Sequence, residues 1–146
     1  MSNKAEALFS GLIAPGVYRT DLRTSAAALA RTAERRGWQA FHLDGRELAT
    51  KADFLEASAR ALRFPSYFGQ NWDAFEESLN DMGWAPAQGY LVVFDGAGSF
   101  ARAQPNEFAV ALDILRESAR RWHEQGTPLI VLLRGAGRVA GDLPRL

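Results

Sequence analysis

Residues 90–96 read YLVVFDG, and residues 128–133 read PLIVLL. Both are short, unbroken apolar runs rich in branched side chains. Such runs suit strands covered on both faces, as in a parallel sheet. The residues between them, NEFAVALDILRESARRWHEQG (106–126), put Phe108, Leu112, Leu115, Ala119 and Trp122 at alternating steps of four and three. That spacing makes one helix face, and Gly126 closes it.

The same punctuation continues toward the N-terminus. A helix spans about Asn71 to Met82, within FPSYFGQNWDAFEESLNDMGW (64–84). Before it, TKADFLEASARALRF begins at Thr50, where Thr50 and Asp53 have the spacing of a capping box and Pro65 ends the helix. WQAFHLDG (38–45) alternates and ends in a turn pair, so it reads as a strand. TSAAALARTAERRG offers Thr24 or Ser25 as N-cap, Arg35 and Arg36 near the end and Gly37 as a stop. GVYRT (16–20) is a short strand expected at a sheet edge, because it is brief and carries Arg19. The order β-α-β-α-α-β-α-β favours an α/β fold with right-handed crossovers and a mainly parallel sheet of three or four strands. The tail RGAGRVAGDLPRL has no period and is expected to lie loose on the surface.

Composition narrows the function. The 146 residues suit one domain with an ordinary core, and 47% hydrophobic with 23% charged residues reads as a globular chain. With no cysteine and two isolated histidines, neither disulfides nor a structural metal site is expected. The N-terminal MSNKAEALFSGLIAPG makes a poor signal peptide, since Ser10, Gly11 and Pro15 break its apolar run. No run approaches a membrane span, so a cytoplasmic address is expected. Balance between 17 basic and 17 acidic residues argues against bulk nucleic-acid binding.

That balance is not uniform along the chain. Between Arg63 and Arg102 stand five acids (Asp73, Glu76, Glu77, Asp81 and Asp95) and no Lys or Arg. At 100° per residue, Trp72, Phe75, Leu79 and Met82 form the buried stripe of the 71–82 helix. Asp73, Glu77 and Asn80 lie roughly opposite, with Glu76 on the flank and Asp81 at the far edge. A solvated acidic face would be tolerable. Asp73 gains about 0.3–1 kcal/mol from the helix dipole, and the like-charged Asp73–Glu77 spacing costs only about 0.2–0.5 kcal/mol. Yet SYFGQ precedes the acids and Trp84 follows them, and aromatic residues with acids suit a basic protein partner.

The stretch 64–84 resembles the signature of barstar, the bacterial intracellular ribonuclease inhibitor family. Pro65, Tyr67, Phe68, Gly69, Asn71, Asp73, Ala74, Leu79 and Trp84 carry the likeness. The order of elements from Trp38 to Leu133 agrees with it. The resemblance implies a single barstar-like domain, with an N-terminal strand–helix extension (1–37), a matching core (38–133) and a tail (134–146). It also implies a stoichiometric inhibitor, not an enzyme, that lays this helix and loop into the basic active-site cleft of a ribonuclease or ribonuclease toxin domain. No cofactor, membrane or direct nucleic-acid contact is implied.

By position, Asp73 would face phosphate-binding arginines and Glu77 would enter the catalytic centre. Tyr67, Gly69, Asn71, Asn80 and Trp84 would line the contact, and Glu117 would add a distal acid. Glu76 occupies a contact position that is aromatic in the family's namesake, and Glu77 one that is Asp there. Arg116, Arg120 and Arg121 attend Glu117.

Other classes have weaker signals. FDGAGSF (94–100) follows a strand, but it lacks the third glycine and the lysine of phosphate-binding loops, so a plain turn fits better. RGAGRVAG (134–141) also follows a strand, with no helical pattern after it. His42 reads as a core or edge residue, and His123 as a helix-end residue favoured by the dipole. No nucleophile, base and orienter stand at recognisable spacing. An acidic module for some other basic protein would use the same face as an inhibitor, and a small α/β enzyme is the remaining class.

Overall fold

The computed structural model describes residues 3–65 and 70–146. Among the described residues four strands make one sheet: β1 (Gly16–Arg19), β2 (Trp38–Asp44), β3 (Gly89–Asp95) and β4 (Leu129–Leu133), in the order β1-β4-β3-β2. All three pairings are parallel, with Val17 opposite Val131, Val92 opposite Val131 and Phe41 opposite Val92. β3 and β4 are the two unbroken apolar runs, and every residue from Gly89 to Phe94 and from Leu129 to Leu133 is buried. Central strands with helices on both sides have no solvent face to spare for polar side chains.

Helices cover both faces. Leu91, Val93, Ile130 and Leu132 point to one side, where Leu29 and Ala33 of α2 (Ala26–Arg35) pack with Leu8 and Phe9, which follow α1 (Asn3–Ala7). Tyr90, Val92, Phe94, Leu129, Val131 and Leu133 point to the other. There they meet α3 (Lys51–Ala61), α4 (Trp72–Asp81), α5 (Gly98–Ala103) and α6 (Pro105–Glu124). The connection from β1 to β2 crosses one face by way of α2. The return through β3 to β4 uses the other face, as uniform crossover handedness requires. The result is a three-layer α/β fold.

Local chemistry sets the helix ends. Ser25 caps α2 by accepting from the Ala28 amide at 3.1 Å. Thr50 and Asp53 form the expected capping box on α3, with the Asp53 amide 3.0 Å from Thr50 Oγ1 and the Thr50 amide 3.2 Å from Asp53 Oδ2. α3 ends before Pro65: Arg63 takes a left-handed conformation (φ 57°), and the Phe64 amide reaches back to the Ala59 carbonyl at 2.9 Å. That pair of features is a Schellman stop, with the proline two residues beyond it.

One expectation needs correction here. The tail is not loose: Leu143 is buried, the Arg19 amide donates to the Pro144 carbonyl at 3.0 Å, and the Leu146 amide donates to the Arg19 carbonyl at 2.9 Å. An aperiodic segment can still dock when an open strand edge offers unpaired backbone groups, and β1 offers one. The short helices α1 and α5 and the 3-10 turn Gly137–Ala140 also had no sequence signal. Each is too brief for a periodicity to show.

The N-terminal segment is pinned by Arg134. Its guanidinium grips Asp95 through Nε–Oδ1 at 2.5 Å and Nη2–Oδ2 at 3.0 Å, and donates to the carbonyls of Leu22 (3.1 Å) and Thr24 (2.5 Å). His42 adds a contact to Asp95 at 2.8 Å. Burial opposes ionisation of Asp95, but the hydrogen bonds from Arg134 and His42 outweigh it and hold the carboxyl below its ordinary value of 3.8. A depressed carboxyl stabilises the fold above the unfolded-state pKa and loses that contribution as pH falls through the folded one. Asp95→Asn is therefore expected to lower stability at neutral pH by about 1–2 kcal/mol, between exposed and buried pairs. The difference from the parent should shrink below about pH 4, as the parent Asp95 protonates. Denaturant midpoints at neutral and acid pH check both.

Candidate functional site: the acidic face of α4

α4 starts where Asn71 accepts from the Ala74 amide at 2.8 Å, in extended backbone, and ends where Met82 turns left-handed (φ 52°). Phe75, Ser78, Leu79 and Met82 are buried, and Trp72 packs against the core from its edge. This is the stripe the periodicity predicts. Two indoles bolt the helix to its surroundings: Trp72 Nε1 donates to Glu107 at 2.9 Å, and Trp122 of α6 donates to the Leu79 carbonyl at 3.0 Å. Beneath it, Phe54 of α3 meets Trp72 and Phe75 at ring-centroid distances of 5.8 and 5.4 Å.

The outer side carries the acids. Asp73, Glu77 and Asp81 are exposed and Glu76 is half-buried. Among the described residues none of the four has an ion-pair partner within 4 Å. Most acids elsewhere on the surface are engaged, with Glu34 and Glu47 as exceptions among the described residues. Glu6 meets Arg36, Asp44 meets Arg46, and Asp113 meets Arg116.

The other expected contact residues are placed differently. Asn71 spends its side-chain oxygen on the helix cap. Asn80, placed on the exposed face by helical angle alone, is half-buried and accepts from the Ser118 hydroxyl at 2.7 Å. The reason is α6, which covers that flank. Trp84 is half-buried, donates to the Leu62 carbonyl at 3.1 Å and meets Phe64 edge-on at 5.8 Å. It secures the end of α3 as much as it offers a rim.

Glu117 is gripped by the guanidinium of Arg120, which holds its carboxyl below the usual range. Arg120 also binds Glu124 at 2.6 Å. Tyr67 and Gly69 lie outside the described residues.

Sequence reasoning missed Lys51 and set Arg121 beside Glu117 alone, not beside α4. Arg121 lines a groove of about 420 Å³ with Glu77, Ser78, Asn80 and Asp81. The Lys51 ammonium sits 5.5 Å from the Trp72 ring centroid, near the start of α4. Both come from other helices, so no local pattern announces them. The face is thus an acidic strip with a base near each end.

A family model described as Barstar (barnase inhibitor) matches residues 38–134. The chain belongs to the barstar family. The match begins at the first residue of β2 and ends at Arg134, just past β4. It takes in α3, α4, α5 and α6 and leaves α1, β1, α2 and the tail outside the match. A comparison with curated protein sequences found no match. The family's description is that of an inhibitor, which fits a protein partner and no catalytic role for this barstar-type chain. Among the described residues no helix is long and apolar enough to cross a membrane.

Proposed function

We propose that this protein is a stoichiometric inhibitor of a basic ribonuclease or ribonuclease toxin domain, covering the enzyme's cleft with α4 and the loop before it. One observation carries the reading: four carboxylates on one rigid helix, unpaired among the described residues, in a chain of zero net charge. Family membership supports it. Asp73 and Glu77 are the principal contacts, standing in for RNA phosphates before the enzyme's cationic groups. Glu76, Asn80 and Trp84 border them, Asn71 acts by holding the helix start, and Tyr67 and Gly69 belong to the adjoining loop. Glu117 contributes least, because Arg120 already neutralises it. A cytoplasmic site of action follows from a role in protecting the producing cell.

Inhibition should compete with RNA, since both need the same positive cleft. Association should be fast at low salt and slow as ionic strength rises, because exposed charges steer encounter over a Debye length of about 10 Å at 0.1 M. Asp73→Asn should speed dissociation, whereas Asp95→Asn, at the end of β3, should leave binding by the folded protein unchanged. Stopped-flow association and ribonuclease assays test these points. Tight binding that spares RNA cleavage would refute the mechanism and leave an acidic interaction module for another basic protein. Equal effects of the two substitutions would show that α4 is the wrong face.

A further inference from the structure

The carboxyl ends of β1 and β4 border a crevice of about 470 Å³. These neighbouring parallel strands send their following segments to opposite faces. Residues after β1 lead to α2, whereas Ala136 and Ala140, after β4, join the core on the side of α3–α6. Such a switch of direction opens a cleft above the strand ends, the usual ligand position in open α/β sheets.

Four arginines line this cleft: Arg19, Arg134, Arg138 and Arg145. Arg134 is fully engaged by Asp95 and two carbonyls. Among the described residues the other three face a single lining carboxylate, Asp21, which meets Arg145 at 3.3 Å. Arg19 spends only Nε, on the Leu143 carbonyl at 3.2 Å. Arg138 is exposed, and its guanidinium makes no hydrogen bond or ion pair among the described residues. Three guanidinium groups beside one lining carboxylate leave a local positive excess that a bound anion would offset.

The cleft floor is suited to that anion. Gly135 (φ 70°), Ala136 (φ −85°, ψ −25°) and Gly137 (φ 60°) alternate in hand, a sequence that turns successive amides toward one concavity. The loop is held in place before any ligand arrives. The Ala97 amide binds the Arg134 carbonyl at 3.1 Å, and the Gly98 amide binds the Gly135 carbonyl at 3.2 Å. A side chain at residue 98 would strike that same carbonyl, its Cβ lying 2.7 Å away. RGAGRVAG is therefore ordered and closely packed against the start of α5, although no long helix follows it.

We propose that this crevice binds the phosphate group of a phosphorylated small molecule, with Arg138, Arg145 and Arg19 as its charged contacts and the 135–137 loop as its backbone cradle. Guanidinium groups pair with phosphate oxygens through two parallel hydrogen bonds. The crevice shares no residue with α4 and is built largely from the N-terminal extension and the tail, outside the matched barstar core. The proposal thus stands independently of ribonuclease inhibition.

Amide NMR titration of the full chain with inorganic pyrophosphate, against sodium chloride at matched ionic strength, tests it. Saturable shifts at Thr20 and at Gly135–Arg138 are expected. Arg138→Ala should raise the dissociation constant about tenfold, the loss of one charge-assisted contact. Arg138→Lys should recover part of the affinity. Arg31→Ala, an exposed arginine of α2 outside the crevice, should leave it unchanged. Because the Arg138 guanidinium has no partner among the described residues, unshifted β1 and α2 amides will confirm that its variants remain folded. Shifts that track ionic strength without saturating, or equal weakening by Arg31→Ala and Arg138→Ala, would overturn the proposal.

Discussion

Glu77→Asp and Glu77→Gln are each expected to weaken binding of the cognate ribonuclease by about 1.5–3 kcal/mol, roughly tenfold to more than a hundredfold. Glu77 is exposed at the middle of the acidic strip and beside the groove that Arg121 lines. It occupies a position where the family's namesake carries aspartate. Glutamate extends its carboxylate one carbon–carbon bond farther, about 1.5 Å, at the cost of one more rotatable bond to immobilise. A pocket that fits it must be deeper or wider than one that fits aspartate. The shorter variant loses the reach of a charge-assisted hydrogen bond and leaves buried donors under-satisfied. The glutamine variant keeps the shape and loses the charge. Neither change should move the stability of the free protein by more than about 0.5 kcal/mol, since Glu77 has no partner among the described residues to lose. Dissociation constants decide the matter. If both variants bind within about 0.5 kcal/mol of the parent, Glu77 is a rim residue and the centre of the site lies elsewhere.

Phe54→Ala should lower folding stability by about 3–5 kcal/mol, the cost of a fully buried aromatic and the cavity left behind. Phe54 is 1% exposed and stands at the meeting point of four rings: Trp72, Phe75, Phe94 and Phe100, with centroids 5.0 to 5.8 Å away. Two of these belong to α4, so the loss is not confined to stability. A helix whose underside is no longer filled presents its carboxylates less rigidly, and part of the binding energy then goes to re-ordering them. Denaturant unfolding should show the drop. Inhibition measured on the folded variant should be weaker, although Phe54 touches no partner. A loss below about 1 kcal/mol would mean that neighbouring side chains collapse into the space.

Elements governed by near neighbours in the chain were legible before any coordinates. The two apolar runs became the central strands because a residue covered on both faces must be apolar whatever covers it. The Thr50–Asp53 box, the Ser25 cap and the stripe from Phe75 to Met82 follow from hydrogen bonds and helical angles within a turn or two. The same reasoning found the exposed acids Asp73, Glu77 and Asp81. It misjudged Asn80, because a helical wheel has no knowledge of Ser118 on a neighbouring helix.

Strand order was another matter. That β1 pairs with β4, last in sequence, and not with β2, next in sequence, depends on contacts between residues more than a hundred positions apart. No local pattern encodes such a pairing. The tail was misread for the same reason, since its partner is the open edge that β1 creates. So was the electrostatics of the site. Along the chain the acids of α4 have no base nearby, yet in space Arg121 and Lys51 approach its two ends. Sequence alone determined which carboxylates reach solvent, because burial on one helix is periodic. Tertiary structure alone decided which cations approach them and which arginines gather at the β1–β4 crevice, because charges interact through space and not along the chain.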